Sequence, residues 1–402
     1  MDIGALISER ARGVDASGIR KVFELGAKLK DPINLSIGQP DFPVPESVKR
    51  AAINAIERDQ NGYTLSQGIP QLRERIARDL VEDLGWPSGI GGGGVEGPGS
   101  PGSEIGVMCT TGTSGALFLS LMAVVSPGDE VVIPDPYFVA YPAMIKLLGG
   151  VPRLCDTYPD FRMTAARLEP LLGPRTKAVI IDSPGNPSGV VMSQRECDEI
   201  AELCRSRGVL LISDEIYDRF VFSESAVKVG GDLRSPSPCR NPGREPWKDT
   251  LLVRGFGKTY GCTGWRLGFA AGPKRLIDEM TKLHQYTYVC APSALQWGAV
   301  ATFDVDIVDW VARYEARRNR VVERLSKVTE VVTPGGAFYA FVPVPKRLGL
   351  SGQQFCEAAI EKSVLTIPGN VFSARDTHFR LSFAVREEML ERGLDVLCGM
   401  MG

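Results

Sequence analysis

The stretch Gly255-Phe256-Gly257-Lys258-Thr259-Tyr260-Gly261-Cys262-Thr263-Gly264-Trp265-Arg266 lies between two short apolar runs, Leu251–Val253 and Leu267–Gly272. Runs of that length and makeup read as buried strands. Lys258 therefore sits in a loop just past a strand end, beside glycines that let other groups approach its backbone. Arg266 stands where the next strand begins. Loops at strand ends are where α/β proteins hold ligands. A surface turn with two solvated cations is the competing account, and the rest of the chain has to decide between them.

Working toward the N-terminus, strand and helix signals alternate. Val209–Ile212 reads as a strand ending in Ser213-Asp214-Glu215-Ile216-Tyr217, after a helix over Gln194–Arg207. Ala178–Ile181 reads as a strand ending in Ser183-Pro184-Gly185-Asn186-Pro187-Ser188-Gly189, after a helix over Thr164–Leu172. Glu130–Pro134 reads as a strand with Pro136-Tyr137-Phe138 at its end, followed by a helix over Ala140–Leu148. Ile105–Thr110 leads through Thr111-Gly112-Thr113-Ser114-Gly115 into an apolar helix. Such alternation predicts an α/β fold with a mainly parallel sheet covered by helices. The strand, small-residue turn and helix start at 106–122 form a cradle for an anion, because free N–H groups and the helix dipole point the same way. It matches neither a Walker loop nor G-x-G-x-x-G, and an ordinary strand-to-helix turn remains open there.

The flanks differ. Residues 17–30 have near-helical apolar spacing, and Ile33–Gly38 is extended. Gln39-Pro40-Asp41-Phe42-Pro43 is a rigid crossing segment, either a linker or a pocket wall. Helices are expected over 45–56 and 69–84, with a turn at Asn61–Thr64. Residues 87–103, crowded with glycine, read as a flexible surface insertion. Beyond Arg266 the pattern predicts a helix over Arg275–Leu283, a long helical stretch from Ser293 to about Lys327 and a hairpin-like unit over Val331–Phe341. A helix over Ser351–Lys362, a strand over His378–Ala384 and a closing helix complete a separate α+β unit.

The bulk composition is that of an ordinary water-soluble protein: 402 residues, 44% hydrophobic and 23% charged. A formal charge of −2 offers nothing for nucleic acid or anionic membranes to bind. No apolar run approaches the roughly 18 residues of a membrane helix, and the first residues lack a secretory signal pattern. Nine scattered cysteines without a C-x-x-C pair suit reduced thiols in a cytoplasmic protein. With two histidines, His284 and His378, a histidine-rich metal site or a Ser-His-Asp triad has little support.

The strand ends thus carry Gly112–Ser114, Phe138, Asn186, Asp214 with Tyr217, and Lys258 with Arg266. An anion cradle, an arginine, an aromatic plate, a carboxylate and an amine suit a planar cationic heteroaromatic bearing phosphate and an aldehyde. Pyridoxal 5'-phosphate fits each of these features. The ordered motifs Y-T-x-x-x-G at Tyr63–Gly68, S-P-G-N-P-S-G at Ser183–Gly189, S-D-E-I-Y at Ser213–Tyr217, the lysine loop and W-R-L-G at Trp265–Gly268 resemble the class I/II aminotransferases. Arg380-Leu381-Ser382-Phe383-Ala384 resembles the family's C-terminal carboxylate-binding segment.

The resemblance implies the aspartate aminotransferase fold, fold type I of pyridoxal phosphate enzymes. Its large domain carries a mainly parallel seven-stranded sheet sandwiched by helices, here over 48–295. Residues 1–47 would form an N-terminal arm and part of a smaller α+β domain completed by 296–402. Lys258 would hold the cofactor as a Schiff base and act as acid and base. Asp214 would pair with the pyridine nitrogen, while Asn186 and Tyr217 would bond the phenolic oxygen. Arg266, Thr113 and Ser114 would bind phosphate, and Phe138 would stack on the ring. Tyr63 would reach the phosphate of a neighbouring subunit, which implies a homodimer. Arg380 would grip the α-carboxylate of an amino acid or 2-oxo acid, assisted by Asn186 and Gly38.

Two departures stand out. Gly255 and Gly257 replace serines common in the family, which removes a phosphate contact worth about 1 kcal/mol. Thr113-Ser114 stands where relatives that prefer acidic substrates often carry lysine. The expected activity is ping-pong exchange of an amino group between an L-amino acid and a 2-oxo acid. Its rivals are a lyase or decarboxylase of the same fold, and a non-catalytic regulatory protein. Arg380 disfavours decarboxylation; residues 1–16 are too short for a fused DNA-binding domain, and Lys258 is intact.

Overall fold

Seven short apolar segments form the central sheet: β1 (Ile105–Thr110), β2 (Glu130–Asp135), β3 (Val151–Asp156), β4 (Thr176–Asp182), β5 (Leu210–Asp214), β6 (Thr250–Gly255) and β7 (Gly268–Pro273). Their order across the sheet is β1-β7-β6-β5-β4-β2-β3. All pairings are parallel except those of β7, which runs antiparallel to both β1 and β6. The structure, a computed structural model, describes residues 1–15, 18, 22, 26, 29–87 and 104–402. The expected helix over 17–30, apart from isolated positions, and the glycine-rich insertion beyond Pro87 lie outside the described residues.

Alternation along the strands divides the core into two faces. Ile180, Ile212 and Val253 face Leu117, Leu121, Tyr141, Ile145, Ile277 and Met280 from helices on one side. Val179, Ile181 and Leu211 face Cys197, Ile200 and Cys204 of the helix Gln194–Ser206 on the other. Leu252, Val107 and Phe269 pack against Leu72, Ile76 and Leu80 of the helix Pro70–Leu84. Burial on both faces explains why β1 and β6 read as unbroken apolar runs. Strand β3 escapes sequence reading because it is the sheet edge: its residues are mostly exposed, and it carries Pro152 and Arg153.

A second sheet of three strands joins Tyr339–Pro343, His378–Ser382 and Ile367–Pro368. Three expectations are corrected. Tyr339–Pro343 pairs antiparallel with the distant His378–Ser382 instead of forming a hairpin with Val331–Thr333. The helical stretch from Ser293 is broken into Ser293–Val300, a tight turn over Ala301–Asp304, and Val308–Leu325. Asp306 accepts the backbone N–H of Val308 at 2.9 Å and so starts the second helix afresh. The helix expected over Thr164–Leu172 shrinks to Ala165–Leu168 plus a 3-10 turn at the proline-containing Glu169–Leu171. Ile33–Asn34 pairs in parallel with Val364–Leu365, which ties the extended N-terminal segment to the C-terminal unit. All nine cysteines are free, and among the described residues no helix is long and apolar enough to cross a membrane.

Candidate active site

The carboxyl ends of β4, β5 and β6 point at one cavity of about 390 Å³, closed on its other side by Ile37–Gln39, Tyr339 and Arg380. Lys258, Asp214, Tyr217, Asn186, Arg266, Thr113, Ser114, Phe138, Gly38 and Arg380 all line it. Ten of the eleven residues singled out in the sequence therefore converge. The eleventh, Tyr63, is 88% exposed and lies outside the cavity.

The lysine loop leaves β6 and turns through Gly257, and the Lys258 Nζ donates to the carbonyl of Gly38. Burial pushes the amine down to about 8, helped by the nearby positive charges of Arg380 and Arg266. Asp214 ends β5 almost wholly buried, and its Oδ2 accepts the hydroxyl of Tyr141 at 2.8 Å. Burial raises its carboxyl to about 6, against the Tyr141 and Ile216 hydrogen bonds that favour the anion. A carboxylate held so deep, with two neutral donors and no cationic hydrogen-bond partner among the described residues, suits a cation.

The phosphate-like end is built from backbone. Helix Gly112–Val124 starts at Thr111 with no side-chain cap, and the Thr111 Oγ1 is buried without a hydrogen-bond partner among the described residues. Its first N–H groups have no intrahelical acceptor. Gly112 has φ +71°, and a Cβ there would fall 2.8 Å from Arg266 Nη2, so the guanidinium lies directly on the turn. A Cβ at Gly268 would meet the Gly112 carbonyl carbon and the Thr113 nitrogen, both at 2.8 Å. Glycine at both places lets β7 and Arg266 close on the cradle. An uncapped helix start beside an arginine suits an anion.

Gly255 is likewise enforced by packing. A Cβ there would lie 2.7 Å from Ile216 Cδ1 and 3.0 Å from Thr113 Cγ2. Those two side chains occupy the space that a serine would need.

At the opposite end Arg380 is 1% exposed. Nη1 donates to Asn186 Oδ1 at 3.0 Å and Nη2 to the Ser36 carbonyl at 2.8 Å, while Nε has no hydrogen-bond partner among the described residues. The guanidinium lies 4.5 Å from the Tyr339 ring centre and 4.7 Å from that of Phe372. A planar cation held between rings with donating capacity left suits a carboxylate.

Three site residues were not found in the sequence. Asp182 closes β4 directly opposite Asp214, accepts the Asn186 N–H at 3.0 Å, and has its carboxyl raised well above the usual range by burial and then by Asp214. An acid closing an apolar strand was a usable signal, the same one that marks Asp214. Tyr141 and Tyr339 gave none, since an aromatic in a helix or strand reads as core. The histidines lie outside the cavity: His284 Nδ1 is 2.9 Å from the Ser66 carbonyl, and His378 stacks on Phe341.

Comparison with known proteins agrees with this geometry. The pattern of the family "Aminotransferase class I and II" matches residues 30–397. The chain is 37% identical to YugH of Bacillus subtilis, an aminotransferase by name, over 96% of both chains. It is 33% identical to aromatic-amino-acid aminotransferase 2 of Thermococcus litoralis, over 97% of this chain and 96% of the other. The solved aspartate aminotransferase of Thermus thermophilus with maleate superposes with a TM-score of 0.84 at 30% identity, covering 98% of this chain and 99% of that one. The chain belongs to the class I and II aminotransferases and is an enzyme that transfers amino groups.

Proposed function

We propose that this aminotransferase uses pyridoxal 5'-phosphate to exchange an amino group between an L-amino acid and a 2-oxo acid in a ping-pong cycle. The convergence of Lys258, Asp214, Arg266 and Arg380 on one cavity carries this reading. The donor set fits the group: an uncapped helix start and Arg266 for phosphate, buried Asp214 for a ring cation, and Lys258 for an aldehyde. When bound, the cofactor supplies an electron sink that makes the Cα–H bond of an amino acid acidic. Lys258 would anchor it and its Nζ would take the Cα proton, a role helped by the burial that lowers the amine to about 8. Asp214 would hold the ring nitrogen's charge, Asn186 and Tyr217 would bond the phenolic oxygen, and Phe138 would flank the ring. Thr113, Ser114 and Arg266 would fix the phosphate. Arg380, with Asn186 and Gly38, would orient the substrate α-carboxylate so that the Cα–H bond faces Lys258.

The working form in this reading is a homodimer in the cytoplasm. Tyr63 and Leu65 share an exposed apolar surface with Tyr286, Tyr288 and Val289, and the two loops are tied by the contact of His284 with the Ser66 carbonyl. A second copy covering it would let Tyr63 reach the neighbouring phosphate site. The division into a large unit, 48–295, and a smaller one, 1–47 with 296–402, is supported by the pairing of Ile33–Asn34 with Val364–Leu365. The test is spectroscopic. An amino acid should convert the absorbance of the cofactor-loaded protein to that of its amine form, and a 2-oxo acid should restore it. Irreversible release of ammonia or carbon dioxide would sink the transamination reading.

A further inference from the structure

Tyr339 has no part in the roles above, yet it touches three groups that do. Its hydroxyl lies 2.9 Å from the hydroxyl of Tyr217. The Arg380 guanidinium sits 4.5 Å from its ring centre. A Cβ on Gly38 would fall 2.6 Å from the Tyr339 hydroxyl, so that oxygen is pressed against the residue whose carbonyl receives Lys258. The ring is fixed by neighbouring rings, Phe338 at 4.8 Å and Tyr217 edge-on at 5.8 Å. Tyr339 is 1% exposed and Tyr217 2%.

We propose that Tyr339 is a positioning residue that directs the hydroxyl proton of Tyr217 into the cavity. Each hydroxyl carries one proton, and at 2.9 Å one must donate to the other. If Tyr217 gave its proton to Tyr339, it would have none for an acceptor in the cavity. With Tyr339 as donor, the Tyr217 oxygen is satisfied as acceptor and its own proton is free to point at the cofactor's phenolic oxygen. Accepting a hydrogen bond also polarises the Tyr217 O–H and makes it a stronger donor. Burial is the chief cause that raises the Tyr217 hydroxyl well above its ordinary range, with Asp182 adding to this and Arg380 opposing it, so Tyr217 keeps its proton. The other charged groups near the pair are Lys258, whose Nζ lies 6.0 Å from the Tyr217 ring centre, and Asp214 on β5.

The inference rests on the reading of Tyr217 as partner of the phenolic oxygen, and the experiment separates the two. Absorbance of the cofactor-loaded protein, followed across pH, reports the ionisation of the bound cofactor. A donor to the phenolic oxygen favours the deprotonated form, so weakening that donor raises the apparent pKa. Tyr339→Phe keeps the ring and should raise it by about half a unit, the scale of one hydrogen bond's influence on the next. Tyr217→Phe should raise it further, and Tyr339→Phe added to Tyr217→Phe should change nothing more. Tyr339→Leu should match Tyr339→Phe in the same titration and serves if the phenylalanine variant does not fold. An unchanged value in Tyr339→Phe, or an equal shift in both backgrounds, overturns the proposal. A wild-type protein whose cofactor absorbance fails to respond to Tyr217→Phe counts against the role of Tyr217 itself.

Discussion

Asp182 and Asp214 stand directly opposite each other at the ends of β4 and β5, and both line the same cavity. Two buried carboxyls so placed cannot both ionise readily, and Asp214 gives up its proton first because Tyr141 and the Ile216 N–H stabilise its anion. Burial and the Asp214 charge both favour the neutral form of Asp182. Asp182→Asn should change thermal stability and cofactor affinity little, by less than about 0.5 kcal/mol. Asp214→Asn should weaken pyridoxal phosphate binding roughly 10- to 100-fold, the scale of a charge-assisted hydrogen bond. Fluorescence titration of both cofactor-free variants checks the contrast.

Lys258 makes stability depend on pH in the cofactor-free protein. Its ordinary value is 10.5 and its buried value about 8. Between those limits the unfolded chain binds more protons than the folded one, so stability rises with pH over that range. The burial penalty is fully present below about 8 and amounts to roughly 3 kcal/mol. Denaturant unfolding at each end of the range should show the rise, and Lys258→Met should remove it. The same variant should lose turnover.

Gly255→Ser would restore the family's usual residue but should not restore a phosphate contact. Its Cβ would collide with Ile216 Cδ1 and press on Thr113 Cγ2. We expect a loss of about 1–3 kcal/mol, typical of overpacking, partly recovered by adding Ile216→Val. Thermal unfolding of the single and double variants provides the measurement.

Arg380→Lys should keep the charge and lose the fork. Lysine cannot serve the Asn186 Oδ1, the Ser36 carbonyl and a substrate carboxylate together. We expect kcat/KM to fall about 100-fold, on the order of 3 kcal/mol, while cofactor binding is kept. Steady-state kinetics beside a cofactor titration separates the two effects.

Most of the site was legible in the sequence because its residues cap apolar strands. Asn186, Asp214 and Lys258 each follow such a run, and strand ends in an α/β sheet face one side. Tyr339 and Tyr141 were hidden, because their polar use lies at the tip of a ring whose body is core. The edge strand β3 was hidden for the opposite reason: exposure removed the apolar pattern that reveals its neighbours. The break after Val300 was lost because the residues on both sides keep helical spacing. Tyr63 faces solvent in the single chain, so the role proposed for it depends on a surface that a second copy would supply.

The ribbon Ile33–Gly38 has a further consequence. It receives Arg380 on the Ser36 carbonyl and Lys258 on the Gly38 carbonyl, and it is anchored at Ile33–Asn34 by Val364–Leu365. The two cations proposed to serve the amino acid thus rest on carbonyls two residues apart on one stretch of chain. Measured substrate affinity is therefore a difference, the new contacts less those surrendered by the ribbon. Residues that never touch substrate, such as Ile33 and Val364, can tune that affinity by setting how firmly the ribbon holds its place.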